Sequence, residues 1–326
     1  MGSEAFKLVR RGGLAWLESE QLARLPWLLH AFSTRLMTPR SEAAVGLDLS
    51  LHRGSGVPRG ATHLTAGCER NRRKFIEQLG ASAFSLAMLR HIHSTNAFEV
   101  RRKPDGELDY EPPGVRGLAP VEPPCVAADF CAGDALLTRE PRILLSVRTA
   151  DCLPILIVDP KRRVVAAVHA GWRGALERII EKSVGEMRRT FDSRPQDLLA
   201  AIGPGIRVCC YEIGPEVVDA FRGRFADSDG FFRTPPPDDA ARARAERYPT
   251  LSAHPPGHGP DHAPAAHLDL VAVARRQLIA AGMQPSKIQV ADFCTACRTD
   301  LFYSFRKEGA RAGRTMAVVG IKRAED

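Results

Sequence analysis

Two apolar runs constrain this chain more than any other feature of it. Residues 153–158 (Leu-Pro-Ile-Leu-Ile-Val) and 164–169 (Val-Val-Ala-Ala-Val-His) have strand length and are separated by Asp159, Pro160, Lys161, Arg162 and Arg163. Short apolar runs bounded by turn residues suit buried strands, and residues 143–147 form a third just upstream. A thiol, Cys152, and an imidazole, His169, sit at the ends of these runs, the second of which breaks into Ala-Gly-Trp-Arg-Gly174. Such side chains serve either as soft metal ligands or as a nucleophile–base pair. At strand ends they are held rigidly where a ligand can enter.

The surrounding sequence reads as an α/β chain. A helix is expected over 71–80, closing on Gly80, with Phe75, Ile76 and Leu79 on one face. Residues 87–100 have β character around His91 and His93, and 104–124 read as a Pro-rich surface loop. A helix-like stretch covers 175–190, a strand 198–202 and a helix 215–225. A helix over 268–281 and strands over 288–293 and 315–321 complete the pattern. Residues 234–264 are rich in Pro, Ala, Arg, Asp and His without periodicity, and read as a flexible surface insertion. No repeat or linker divides the chain, so one domain over 1–326 is expected.

At 326 residues, 44% of them hydrophobic, the chain can bury a substantial core. No apolar run approaches the ~20 residues that span a bilayer. Glu4, Glu18 and Glu20 interrupt any signal-peptide pattern, so a cytoplasmic location and no membrane partner are expected. The net charge of +8 is carried mostly by scattered arginines, and aromatics make up only 6% of residues. That combination disfavours a nucleic-acid partner and suits an anionic small molecule. Eight cysteines in a chain this long do not make a disulfide scaffold. Cys68, Cys125 and Cys131 read as small packed residues, as does the pair Cys209-Cys210.

His93 adds a third soft donor to Cys152 and His169. A lone histidine is more often a hydrogen-bonded surface or core residue than a ligand. Two His and one Cys, however, form a set that leaves a fourth tetrahedral position open, as catalytic zinc sites do. If residues 91–93 are a strand, His91 shares a face with His93. Cys294-Thr-Ala-Cys297 has C-x-x-C spacing, but no second C-x-x-C accompanies it. His254, His258 and His262 fall in the solvated insertion. Neither group is taken as the site. Trp172-Arg173-Gly174 opens a helix whose first N–H groups favour an anion. Arg35, Arg148, Arg173 and Arg306 lie at turn-like positions from which they could hold phosphate. No P-loop, dinucleotide glycine fingerprint or nucleophile elbow is present.

Taken together, the motifs resemble the laccase-domain purine nucleoside phosphorylases, a family also described as multicopper polyphenol oxidases. The pieces that carry the resemblance are His30-Ala-Phe-Ser-Thr-Arg35, Asn71-Arg72, His93-Ser94, Gly133-Asp-Ala135, Arg148-Thr-Ala-Asp-Cys152 and His169-Ala-Gly-Trp-Arg-Gly174. Ile202-Gly-Pro-Gly-Ile-Arg207, Cys210-Tyr-Glu-Ile-Gly214, His267-Leu-Asp-Leu270, Phe293-Cys-Thr-Ala-Cys297 and Phe302-Tyr-Ser-Phe-Arg306 follow in family order. The resemblance implies a single α/β (α+β) domain, with core about 28–321 and mixed sheets sandwiched between helices in a four-layer αββα arrangement. It also implies zinc, or alternatively copper, on His93, Cys152 and His169. Two departures stand out: His91 replaces the usual Gln, and Leu36-Met-Thr-Pro39 replaces a Gly-Gly turn.

The activity implied is phosphorolysis of adenosine, inosine or 5′-methylthioadenosine to free base and a ribose 1-phosphate, with adenosine deamination as a side activity. Cys152, His169, His93 and Asp151 are the expected catalytic residues; Arg35, Arg148, Arg173 and Arg306 are expected at substrate and phosphate. The H-x-E signature of zinc base deaminases is absent, so deamination would need another acid or base, such as Asp151 or Glu212. The alternatives are a copper-dependent polyphenol oxidase on the same donors, or a cysteine hydrolase using Cys152 and His169. A monomer or homodimer is expected.

Overall fold

A computed structural model describes residues 5–37, 46–50, 62–112, 131–233 and 266–323, with side chains from residue 67 onward in the helix that begins at 62. The insertion expected over 234–264 therefore lies outside the described residues. A six-stranded sheet has the order β1 (Phe6–Arg11), β2 (Leu14–Ser19), β3 (Leu28–Met37), β16 (Thr315–Ile321), β8 (Ile143–Thr149) and β4 (Ser85–Ala87). A seven-stranded sheet has the order β15 (Ile288–Val290), β11 (Leu199–Ile202), β9 (Leu153–Asp159), β10 (Val164–Ala170), β7 (Ala135–Thr138), β5 (Ala97–Arg102) and β6 (Leu108–Glu111). A small third sheet joins β12 (Glu212–Ile213), β14 (Ala266–Leu268) and β13 (Phe232–Arg233).

The two large sheets pack face to face. Phe32, Leu145, Val147, Ala317 and Val319 of the first meet Leu136, Leu156, Val158, Val165 and Ala167 of the second. The outer face of the second sheet, including Ile155, Ile157, Ala166 and Val168, is covered by Ile180, Val184 and Met187 of α4 (Ile179–Phe191) and Val273 and Leu278 of α6 (Leu270–Ala280). The outer face of the first sheet packs Trp16, Leu144 and Val318 on Phe75 of α2 (Thr62–Gln78). This is the four-layer αββα arrangement. It also explains the apolar runs: alternate residues of β9 face two different cores, so every position is buried. At roughly 1.5–3 kcal/mol per buried aliphatic side chain, the β9–β10 hairpin is a rigid base for whatever stands at its open end. Its closed end is an Asx turn, with Asp159 Oδ1 accepting from Lys161 N and Arg162 N.

Three local expectations need correction. The helix expected over 175–190 is two helices, α3 (Trp172–Leu176) and α4, parted at Arg178, which takes a left-handed φ of 63°. The Arg178 side chain holds that break by donating to Glu181 and Arg224 O and lying over Phe225. Part of the supposed surface loop 104–124 is strand β6, paired with β5; residues 113–124 lie outside the described residues. Cys131, expected to be an unpartnered packed residue, is disulfide-bonded.

Candidate active site and metal centre

Strand register brings the thiol and the imidazole together. β9 and β10 pair antiparallel with Ala170 opposite Leu153 and His169 opposite Pro154, so Cys152 and His169 share the hairpin's open end. Residues 150–152 cross there from β8 in one sheet to β9 in the other. Gly171 lies against this corner: a Cβ on it would stand 2.8 Å from His93 Cδ2 and 2.9 Å from Cys152 Sγ. Only glycine lets the chain pass so close to both groups.

His93 reaches the site by a different route from the one expected. It lies between β4 and β5 rather than on a strand, with a left-handed φ of 59°. The strand-face reading of residues 91–93 is thus corrected: Asp134, not strand alternation, organises the segment. Asp134 Oδ1 accepts from His93 N at 3.1 Å, and Oδ2 accepts from Ser94 N at 2.6 Å and Ser94 Oγ at 2.7 Å. The same carboxylate lies 2.8 Å from His169 Nδ1, which leaves His169 Nε2 to face Cys152. Burial works against ionisation of Asp134, but His169 and Ser94 outweigh it and hold its pKa near about 2.

The ligand atoms of His93, Cys152 and His169 all lie within 4.8 Å of one another, with Cys152 Sγ 3.8 Å from His93 Nε2. Burial alone would push the Cys152 thiol up; His169 and then His93 reverse this and bring it down to about 6. Burial likewise lowers His169, but the Cys152 thiolate and Asp134 raise it to about 9. The pair favours the thiolate–imidazolium form. A site that readily deprotonates its thiol and holds one imidazole nitrogen on a carboxylate, leaving the other to face the thiol, has the chemistry of a soft-metal centre. The donor set fits zinc, with one coordination position left open, and also admits copper.

His91 does not add a fourth donor. Its Nδ1 lies 3.2 Å from Gly133 O and its Nε2 accepts from Arg148 N at 3.1 Å, so both nitrogens are engaged. Burial first, then His169 and Arg148, hold it neutral. Its ring stacks on that of His169 at 4.4 Å, forming a wall behind the donor set.

The other residues singled out in the sequence separate into two groups. Asp151, with a φ of 89°, accepts from Thr295 Oγ1 and Arg306 N, both at 2.6 Å, one through each carboxylate oxygen. Its geometry is that of a group holding three loops together. Arg306 lies over the Tyr211 ring at 5.4 Å. Burial, Cys152 and Asp151 push the Tyr211 hydroxyl upward while Arg306 and Arg173 oppose them, so both arginines lie within electrostatic reach of Tyr211. Arg173 is exposed at the start of α3, over Trp172.

Arg35 and Arg148 are not at turns. Arg35, in β3, donates to Glu308 at 2.8 Å and Thr299 O at 2.9 Å. Arg148, in β8, is buried, with Nη2 donating to Leu89 O at 2.5 Å. Burial, then Arg72 and Arg314, bring its pKa down to about 9. Glu212 sits in β12 opposite His267. Sequence reasoning did not single out Asp134, Thr295 or Tyr211. The only signals for them were the short pieces Gly133-Asp-Ala135, Thr295 within the C-x-x-C and Tyr211 after Cys210.

Fold and site together define a single-domain α/β protein with an open His–Cys–His donor set at a strand corner. The chain belongs to the family described as multi-copper polyphenol oxidoreductase laccase, whose profile matches residues 30–322. It is 34% identical to a purine nucleoside phosphorylase of Bacteroides thetaiotaomicron over 58% of this chain and only 60% of that protein. A purine nucleoside phosphorylase of Deinococcus radiodurans is 30% identical over 96% of this chain and 95% of its own length. Adenosine deaminase RL5, from an unknown prokaryotic organism, is 32% identical over 73% of this chain and 76% of its own. The crystal structure of YlmD from Geobacillus stearothermophilus superposes with a TM-score of 0.70 at 26% identity, covering 98% of this chain and 100% of that one. Among the described residues, no helix is long and apolar enough to cross a membrane.

Proposed function

We propose that this chain is a metal-containing purine nucleoside phosphorylase acting on adenosine or inosine. In that reaction an oxygen of phosphate forms a bond to ribose C1′ as the glycosidic C–N bond breaks. The nitrogen of the leaving base takes a proton, and the products are free purine and ribose 1-phosphate. The observation that carries the reading is the juxtaposition of the His93–Cys152–His169 donor set with Arg306, Arg173 and Tyr211. This combines a soft-metal pocket with cations for an anionic co-substrate.

The reading assigns His93, Cys152 and His169 as ligands to zinc or, alternatively, copper. When bound, such a metal supplies a Lewis acid and lowers the pKa of a coordinated water towards ~7. Asp134 keeps His169 in one tautomer and orients its ring. Arg306 and Arg173 receive phosphate by charge-assisted hydrogen bonds, whereas the Arg35 and Arg148 guanidiniums already donate to protein oxygens. Asp151 positions Arg306. The likeness to an adenosine deaminase supports deamination as a second activity of the same pocket. Copper-dependent phenol oxidation has less support, because one three-donor mononuclear set does not supply the several coppers of four-electron oxygen reduction.

The test is inosine turnover by protein of measured metal content, with and without phosphate. Hypoxanthine and ribose 1-phosphate are expected only with phosphate. Arg306→Ala should raise the phosphate requirement roughly ten- to a hundredfold, the loss of one charge-assisted hydrogen bond. Equal base release in phosphate-free buffer, with free ribose as product, would overturn phosphorolysis. Inosine and ammonia formed from adenosine without phosphate would identify the deaminase activity.

A further inference from the structure

A second cluster of metal-ligating side chains lies away from the donor set just described. β11 and β15 are parallel neighbours, with Ile202 opposite Val290, so the loops that leave them run side by side. An isolated bridge pairs Gly205 with Cys294, and Thr295 N donates to Gly205 O at 3.1 Å. The first loop carries Cys209 and Cys210, the second Cys294 and Cys297. All four sulfurs lie within 4.8 Å of one another; Cys297 Sγ is 3.6 Å from Cys209 Sγ and 3.3 Å from Cys210 Sγ. All four are unbridged thiols.

We propose that Cys209, Cys210, Cys294 and Cys297 form a closed tetrathiolate site that takes one zinc ion and locks these two loops together. Zn–S bonds of ~2.3 Å in a tetrahedron place the sulfurs ~3.8 Å apart; the separations of 3.6 and 3.3 Å from Cys297 fall a little short of that value, and all four sulfurs lie within 4.8 Å of one another. Four thiolates in this arrangement select zinc or an iron–sulfur centre over harder cations. The surroundings are those of a prepared ligand shell. Arg207 N donates to Cys294 Sγ at 3.4 Å, and Arg207 reaches across to Phe293 O and Ala291 O with its guanidinium. The C-x-x-C segment turns on itself, with Arg298 N donating to Cys294 O at 3.0 Å. Backbone N–H groups aimed at a ligand sulfur orient it and stabilise its charge. Cys294 is buried against Ile206 and Ala296, while Cys209 and Cys297 are exposed, which gives the ion an entry path.

The clamp has a direct bearing on the open pocket. Tyr211 follows Cys210, and Thr295, between the two cysteines of the second loop, donates to Asp151 Oδ1 at 2.6 Å. Asp151 O accepts from Ile206 N at 2.8 Å. One ion on the four sulfurs therefore fixes the wall that carries Tyr211 and Asp151. With all four positions filled by protein, the ion has none open to substrate. The site is independent of which reaction the pocket performs.

The experiment measures metal per folded chain in protein purified under reducing conditions, for the full chain and its Cys152→Ala, Cys297→Ser and doubly substituted forms. Cys152→Ala is expected to retain about one zinc per chain, and the double variant none. Cobalt loaded into Cys152→Ala should show intense sulfur-to-cobalt charge-transfer absorption, lost when Cys297→Ser is added. Cys297 is exposed, so its substitution tests ligation without opening the core. The proposal is overturned if Cys152→Ala holds no metal and gives no cobalt–thiolate band. It is equally overturned if the native chain carries a Cys210–Cys297 disulfide when purified under those conditions.

Discussion

The two thiol-bearing clusters differ in one decisive way. The pocket at the β9–β10 end has three donors of mixed type, one of them backed by a carboxylate. The cluster at the β11–β15 end has four sulfurs, with the backbone N–H of Arg207 donating to one of them. A three-donor set leaves a coordination position for chemistry, whereas a four-donor set leaves none and can only hold structure. Electrostatics separates them as well. Cys152 faces His169 and His93, which stabilise its thiolate despite burial, and it falls to about 6. Cys210 is pushed up to about 12 by burial, by its hydrogen bond to Cys297 and by Cys294. For Cys152 and Cys210 the thiol's acidity follows from whether its neighbours are cations or other sulfurs, whereas at Cys294 burial is outweighed by backbone N–H groups, Arg207 N first, which bring the thiol down.

The largest effect expected of any change in either cluster is from His169→Ala. It removes a donor and takes from buried Asp134 its one imidazole at 2.8 Å, leaving the carboxylate to His93 N and Ser94. Turnover should fall by roughly 10²–10⁴-fold, and metal should be lost from the pocket while the four-sulfur site keeps its own. If His169→Ala instead empties both sites, the clusters are not independent and the comparison fails. Next in size is Asp134→Asn. Removing the carboxylate behind a histidine ligand typically weakens metal binding 10–100-fold, and competition with a calibrated chelator would read this. An unchanged affinity would show that the Asp134–His169 contact serves only the 93–94 turn.

How much of this was legible in the sequence depended on how local the cause was. β8, β9, β10 and β16 could be read within a residue or two, because coverage on both faces writes an apolar run into the chain itself. The pairing of Cys152 with His169 was legible for the same reason, since one hairpin contains both. The conformation of His93 was not: it depends on Asp134, 41 residues away, and a His-Ile-His segment reads naturally as strand. The break at Arg178 was hidden because that side chain finds its partners in Glu181 and in Arg224 and Phe225, on or beside another helix. The four-sulfur cluster joins Cys210 to Cys297 across 87 residues. Spacing rules look for two C-x-x-C pairs, whereas here the second pair is two adjacent cysteines, so the pattern could not be matched. Arg35 and Arg148 were misplaced because strand residues with buried guanidinium partners look, in sequence, like any other arginine.

The smallest effect sharpens the comparison most. In chelator-treated, metal-free protein, Cys152 should be modified by iodoacetamide ahead of Cys209 and Cys210, whose thiols burial and neighbouring sulfurs push up. The thiolate is the reactive form; with a pKa of about 6 it predominates above that pH and is lost as pH falls through it. At pH 7 an ordinary thiol of pKa ~8.5 is only a few per cent thiolate, so the population gain is roughly thirtyfold. Nucleophilicity falls with pKa, with a Brønsted slope of ~0.4–0.5, which takes back about tenfold. The net rate gain is thus only about two- to threefold, and the informative quantity is the midpoint of the pH–rate curve. That midpoint should lie near about 6 and move up in His169→Gln, because His169 is the leading cause that lowers the thiol. Peptide mapping that finds Cys210 labelled first, or a midpoint in the ordinary thiol range, would mean that Cys152 and Cys210 are not held in opposite electrostatic states.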